Sequence, residues 1–132
     1  MNTEKSPTPS TTIPAWVREL FLSIDRRDAT AFAGFVAPQG QFRYGSNPAV
    51  QGRENVEKFV AGFFASMNGL SHTLENVWEQ PGVVFIEGRV RYHLLDDRHV
   101  EVPFCNLFRM EGHLVKDYLV FTDPTPLLPP RA

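Results

Sequence analysis

The stretch Arg53-Glu54-Asn55-Val56-Glu57-Lys58-Phe59-Val60-Ala61-Gly62-Phe63-Phe64-Ala65-Ser66-Met67-Asn68-Gly69 runs directly into Leu70-Ser71-His72-Thr73-Leu74-Glu75-Asn76-Val77-Trp78-Glu79. The hydrophobic period changes at Gly69. Before it, Val56, Phe59, Val60, Phe63, Phe64 and Met67 recur at i, i+3, i+4 and i+7, one face of a helix. Asn68-Gly69 supplies a stop, so the spacing predicts a helix over 53–68. After it, apolar and polar residues alternate with the period of a strand. Strands are expected at Ser71–Glu79, Val83–Leu95, His99–Met110 and His113–Thr122. The turns between them are Pro81-Gly82, Asp96-Asp97 and Glu111-Gly112. Such short gaps predict antiparallel hairpins.

Upstream of this stretch, Trp16, Val17, Leu20, Phe21 and Ile24 form a second apolar stripe. The helix carrying it starts near Pro14, preorganised for a first helical position, with Thr12 as a candidate cap. A short helix follows Asp28, a good N-cap, with Phe32, Phe35 and Val36 buried. Ala37-Pro38-Gln39-Gly40 ends it, Gln41–Tyr44 reads as a short strand and Gly45–Gly52 as a loop. Helices followed by a meander of strands argue an α+β domain. Its helices pack on a curved, mostly antiparallel sheet that encloses a small-molecule pocket. The domain is expected over 13–123. It is flanked by a polar, flexible tail over 1–12 and a proline-rich, extended tail over 124–132.

The chain has 132 residues, 42% of them apolar, with eleven Phe and a formal charge of −2. That length buries a real core without staples, and a few Phe suffice to line an apolar cavity. No basic stripe suggests nucleic acid, and no segment is apolar enough to span a bilayer. The first twelve residues lack the apolar core of a signal peptide, and a lone Cys105 forms no internal disulfide. The composition reads as cytoplasmic.

Five polar residues are placed where an interior cavity could use them: Asp25 beyond the first apolar stripe, Tyr44, His72, His93 and Asn106. A histidine titrates near neutrality and exchanges protons. A carboxylate beside it fixes its tautomer, and a phenol or amide holds a substrate oxygen as charge develops. Each residue also has a plainer reading. Asp25 is equally a solvated residue between helices, and Tyr44 a core tyrosine with its hydroxyl at the surface. By strict alternation His72 shares a face with Leu74, Asn76 and Trp78, where a histidine is more often a satisfied core residue than a base. His93 shares one with Glu87, Arg89 and Arg91, the mark of a solvated face, unless a bulge at Gly88 changes the phase. Asn106 alternates with Val102, Phe104, Phe108 and Met110, and a buried amide needs a reason to be there. Asp117, in phase with Val115, Leu119 and Phe121, also enters the expected cavity. Cys105 alternates away from Asn106 and is not proposed as a nucleophile. No His-x-His or His-Glu-x-x-His spacing suggests a metal, and no cofactor is expected.

Ile24-Asp25-Arg26-Arg27-Asp28, Phe35-Val36-Ala37-Pro38, Gly52-Arg53-Glu54-Asn55-Val56 and Leu70-Ser71-His72-Thr73-Leu74-Glu75-Asn76 resemble the SnoaL-like branch of the nuclear-transport-factor-2-like superfamily. The resemblance runs from about Ala15 to Asp123. It implies a cone, a strongly curved sheet around a long helix with two further N-terminal helices, a pocket inside and frequent dimerisation through the sheet. Tyr118 and Val120 are the outward candidates for that dimer face. Among the enzymes of this branch, scytalone dehydratase matches best. Its acid/base set falls on His72, Asp25 and His93, and its pocket tyrosine and asparagine on Tyr44 and Asn106. Its second pocket tyrosine falls on Ile24, and the serine before the asparagine on Phe104. The general base of ketosteroid isomerases has no counterpart, and of the Asp-Arg-Asp set of limonene epoxide hydrolases only the arginine does, at Arg89. The resemblance implies a lyase or isomerase that dehydrates, isomerises or cyclises an oxygenated apolar ring. His72, Asp25 and His93 would be catalytic, and Tyr44, Asn106, Phe104, Phe108, Asp117 and Trp78 would contact the substrate. The other reading is a non-catalytic module that binds an apolar ligand or dimerises.

Overall fold

The computed structural model describes residues 12–129. The chain runs α1 (Ala15–Asp25), α2 (Ala29–Ala33), β1 (Val36–Tyr44), β2 (Val50–Gln51), α3 (Arg53–Ala65), β3 (Met67–Gln80), β4 (Val83–Leu94), β5 (His99–Glu111) and β6 (Leu114–Thr122), ending in a 3-10 turn, Thr125–Leu127. The six strands form one sheet in the order β2-β1-β6-β5-β4-β3. All neighbours are antiparallel except β1 and β6. This is the expected α+β architecture, a curved sheet with helices packed on its inner face.

The helices end where local chemistry ends them. Asp28 caps α2, its carboxylate accepting from the Ala31 N–H at 3.0 Å. The long helix α3 ends at Ala65, three residues before the Asn68-Gly69 signal, and the hydroxyl of the capping Ser66 donates to the Phe63 carbonyl at 2.6 Å. Met67 belongs to β3, opposite Leu94, and Asn68 donates to the Leu94 carbonyl at 3.1 Å. Strand pairing outweighs the helical period here. Val17, Leu20, Val56, Val60, Phe64, Ile86, Phe108 and Val115 form part of the core between the helices and the sheet.

Further expectations fail along the chain, among them that Gly45–Gly52 is all loop, since it contains β2. Ala37-Pro38-Gln39-Gly40 does not end a helix. It lies inside β1, where the pairing to β6 skips from Val36 to Gln41. A Cβ on Gly40 would stand 2.8 Å from Val36 Cγ1 and 3.0 Å from two carbonyl oxygens, so this irregularity needs glycine. The C-terminal segment is not simply extended. Arg98 donates to the carbonyls of Pro126 and Leu128 at 3.3 and 3.0 Å, which holds the 3-10 turn against the β4–β5 hairpin. The tail expected over 1–12 lies outside the described residues apart from Thr12, as do residues 130–132. No described helix is long and apolar enough to cross a membrane.

Two of the sheet's β-bulges decide what faces the inside around His72 and Tyr118. On β3, Leu74 pairs with Gly88 and Asn76 with Glu87, so Glu75 is an extra residue. It reverses the phase: Leu70, His72, Leu74 and Val77 face in, while Asn76 and Trp78 face out. A Cβ on Gly88 would sit 2.2 Å from the Thr73 carbonyl oxygen and 3.2 Å from Leu74 Cα. Gly88 is therefore the residue that lets β3 bulge across it, and β4 itself stays regular. On β6, Asp117 pairs with Arg109 and Val115 with Met110, which leaves Lys116 extra. Tyr118 and Val120 consequently face in, and Asp117, Leu119 and Phe121 face out.

Candidate functional site

The curl of the sheet over α3 leaves a narrow cavity of about 50 Å³, open at its mouth. Its walls are largely apolar and aromatic, among them Ile24, Phe42, Phe63, Phe64, Val90 and Phe104. The polar groups on the same wall are few: His72, Tyr44, Tyr92, Asn106, Tyr118 and Thr122. Thr122 is spent on the Pro103 carbonyl at 2.9 Å.

His72 enters from β3, directly opposite Val90. Its ring lies 5.0 Å from that of Phe21 and 5.3 Å, edge-on, from that of Phe104. Asp25, the last residue of α1, grips it twice. Asp25 Oδ1 lies 2.6 Å from His72 Nδ1, and Oδ2 accepts from the His72 backbone N–H at 3.1 Å. An ionised carboxylate only accepts, so Nδ1 carries the proton and Nε2 of the neutral ring is a bare lone pair. Among the described residues Nε2 has no hydrogen-bond partner. The His72 side chain is 10% exposed and that of Asp25 23%. Asp25 lies behind the histidine, in a surface groove shared with Arg18 and Leu22. The α1–α2 turn is tied to β3 by Arg27, which donates to the Met67 carbonyl at 3.0 Å.

Two further polar pairs line the cavity. The Tyr44 and Tyr92 hydroxyls lie 3.3 Å apart, and Asn106 Nδ2 donates to the Tyr118 hydroxyl at 3.5 Å. Burial raises the phenols of Tyr44, Tyr92 and Tyr118 above the ordinary tyrosine value, so all three are neutral donors near pH 7. Asn106 is 2% exposed, and among the described residues its Oδ1 has no partner. A buried acceptor left empty costs about 1–3 kcal/mol, which marks it as a place for a ligand donor or a water.

The expected site residues are distributed as follows. His72, Asp25, Tyr44, Asn106 and Phe104 come together at the cavity or immediately behind it. His93 does not. Because β4 stays regular, its side chain stands with Glu87, Arg89 and Arg91 on the outer face, 3.1 Å from Asp97 and stacked at 4.3 Å on His99. Phe108 is fully buried beneath the cavity, against Tyr118 and Trp16. Asp117, turned out by the Lys116 bulge, accepts from Gln41 at 2.9 Å and from Arg109 at 3.4 Å. Trp78, turned out by the Glu75 bulge, lines a hollow on the outer face with Glu87 and Cys105. Arg89 pairs with Glu101 and Glu75 on that face, away from the cavity. The outer-face apolar residues available to a dimer are Phe85 and Phe121, 41% and 46% exposed, not the inward Tyr118 and Val120. Sequence reasoning missed Tyr92. Its signal was its place beside His93 on a strand whose phase never changes. Among the described residues no cluster of three or more His, Cys, Asp or Glu could hold a metal.

The SnoaL-like domain model matches residues 17–118. The chain belongs to the SnoaL-like domain family. No curated protein matches it. Solved structures show the same fold at low identity. A hypothetical protein from Catenulispora acidiphila DSM 44928, with a ketosteroid isomerase-like fold and in complex with trimethylamine, is 19% identical. The match covers 83% of this chain and 86% of that one, with a TM-score of 0.78. A putative SnoaL-like polyketide cyclase from Jannaschia sp. CCS1 is 24% identical over 84% and 85%, with a TM-score of 0.74. TerC, co-crystallised with polyporic acid, is 14% identical over 84% and 91%, also with a TM-score of 0.74. In this SnoaL-like domain one His–Asp pair stands at a cavity lined by three neutral phenols.

Proposed function

We propose that this SnoaL-like protein is a lyase or isomerase-type enzyme acting on a small, neutral, oxygenated ring compound, without metal or organic cofactor. The observation that carries the reading is the His72–Asp25 pair, with the bare Nε2 at a largely apolar cavity. Nε2 takes a proton from a carbon or hydroxyl of the bound ring. The imidazolium formed is held beside the Asp25 carboxylate at 2.6 Å, an opposite charge that favours it. Returning the proton to a different atom isomerises the ring. Where the proton came from carbon, its electron pair forms a C=C bond as the adjacent C–O bond breaks, and returning the proton to the leaving hydroxyl releases water. The phenols and the Asn106 amide orient the substrate oxygens while remaining uncharged. The family resemblance and the cyclase and ligand complexes among the structural neighbours support the same class.

A purely ligand-binding role is the second reading, favoured by the placement of His93 outside the cavity. Proton exchange separates the two. Oxygenated ring compounds that bind are incubated with the protein in D2O, and deuterium uptake or turnover is followed by NMR. The wild type should catalyse exchange or conversion, and His72→Gln should lower the rate by about 100-fold or more, the usual scale of a general base, while still binding. Binding by both proteins with no exchange or conversion by either would assign the ligand-binding role.

A further inference from the structure

Tyr44 ends β1 and Tyr92 lies near the end of β4, and β6 and β5 separate those strands in the sheet. Only the curl of the sheet brings the two hydroxyls to 3.3 Å across the cavity. Phe63 of α3 packs on both rings, with centroids at 5.1 and 6.3 Å. Each neutral phenol carries one proton. One of the two protons makes the bond between the oxygens, and the other is left over. Among the described residues neither hydroxyl has another partner. A donor left unpaired in an apolar cavity is costly, so the pair is arranged to give its spare proton to something that enters.

Resting on the ring-compound reading above, we propose that Tyr44 donates to an acceptor oxygen of the ligand, a carbonyl or the oxyanion that develops from it, and that Tyr92 is a positioning residue which donates to the Tyr44 oxygen. Tyr92 is 3% exposed and lies deep in the wall, whereas Tyr44 is only partly buried. That places Tyr44 nearer an incoming ligand. A phenol whose oxygen already accepts a hydrogen bond is a stronger donor than a phenol alone. The pair therefore selects carbonyl rings over hydrocarbons of the same shape and turns the carbonyl oxygen toward β1 and β4.

The probes are 1-indanone and indane, equal in shape and different by one oxygen. Binding is measured by NMR titration, and the bound carbonyl stretch by infrared spectroscopy. The wild type should bind indanone roughly five- to tenfold more tightly than indane, the scale of one net hydrogen bond, and should lower the carbonyl frequency relative to indanone in a hydrocarbon solvent. Tyr44→Phe should remove both the preference and the frequency shift. Tyr92→Phe should leave a smaller shift and an intermediate preference, a graded signature that lost packing alone does not produce. Indane affinity should stay within about twofold in both variants, which reports an intact cavity. Equal binding of the two probes by the wild type, or an unchanged frequency in Tyr44→Phe, would overturn the proposal and leave the ring-compound reading standing. An unchanged frequency in Tyr92→Phe alone would remove the role of Tyr92. Failure of both rings to bind would overturn the ring-compound reading and this proposal with it.

Discussion

The His72–Asp25 and His93–Asp97 pairs are both within hydrogen-bond distance, at 2.6 and 3.1 Å. The first joins residues 47 apart in sequence, on α1 and β3, and the second joins neighbours four apart at a hairpin. Asp25 is 23% exposed and Asp97 84%. Asp25 also holds the backbone N–H of His72, so the ring orientation is fixed from two sides. Asp97 holds only the ring of His93. Proximity of a carboxylate does not by itself make a histidine useful. A fixed tautomer, a free second nitrogen and an apolar cavity in front of it do, and only His72 has all three.

Removing Asp25 is the change expected to break this contrast most strongly. Asp25→Ala leaves the Nδ1–H and backbone N–H of His72 without partners in a largely buried setting. That costs about 1–3 kcal/mol by the usual penalty for unpaired buried donors, read by urea denaturation. The His72 tautomer should also shift, visible in the ring 15N resonances, because nothing then holds the proton on Nδ1. If Asp25→Ala were no less stable than the wild type and kept the same tautomer, the first pair would be no more organised than the second.

The elements that position these pairs were mostly legible in the chain. The helical stripe over Val56–Met67 and the alternation after Gly69 gave the architecture, because hydrophobic period reports which face is buried. What failed was phase, and it failed at two single residues. Glu75 and Lys116 each add one residue to a strand, and one residue of slip sends every later side chain to the other face. Trp78 and Asp117 were expected in the cavity for that reason, and Tyr118 and Val120 outside it. Gly88 did signal a bulge, but on the strand opposite its own. The bulge on β3 left β4 regular, so the alternation that placed His93 with three charged residues held, and Tyr92 took the inward place. Strand β1 was cut short because Pro38 and Gly40 resemble a helix stop when read alone. The Asp25–His72 contact has no local signal, because α1 and β3 meet only in the folded chain.

Inside the cavity, Asn106 is a polar residue held by one long bond alone. Its Oδ1 is buried and empty, and its bond to Tyr118 is long at 3.5 Å. Asn106→Leu replaces an amide of poor hydrogen bonding by an apolar group of similar size. Thermal unfolding should therefore show a change within about 1 kcal/mol, in either direction, since removing an unsatisfied polar group offsets the lost bond. Affinity for hydroxylated ring ligands should fall. A loss of several kcal/mol would instead make Asn106 a structural residue like Asp25.

His93→Ala is the smallest effect expected, and it tests the contrast from the other side. His93 pairs with an aspartate that is 84% exposed, and exposed pairs four residues apart contribute a few tenths of a kcal/mol at most because water and salt screen them. Stacking on His99 at 4.3 Å adds little, since both rings stay accessible to solvent. The substitution should change stability by no more than about 0.5 kcal/mol and leave both the His72 15N resonances and any His72-dependent proton exchange unchanged. Strand β4 has no bulge between Val83 and His93 on the side paired with β5, so no small motion brings residue 93 to the inner face without unpairing the strand. If His93→Ala lowered exchange as far as His72→Gln, β4 would have to slip by one residue during function. Tyr92 and Val90 would then leave the cavity as His93 entered it, and Tyr92 would lose its hydroxyl contact with Tyr44. Measuring exchange in His93→Ala and Tyr92→Phe side by side decides the matter, because of the two residues only Tyr92 lines the cavity.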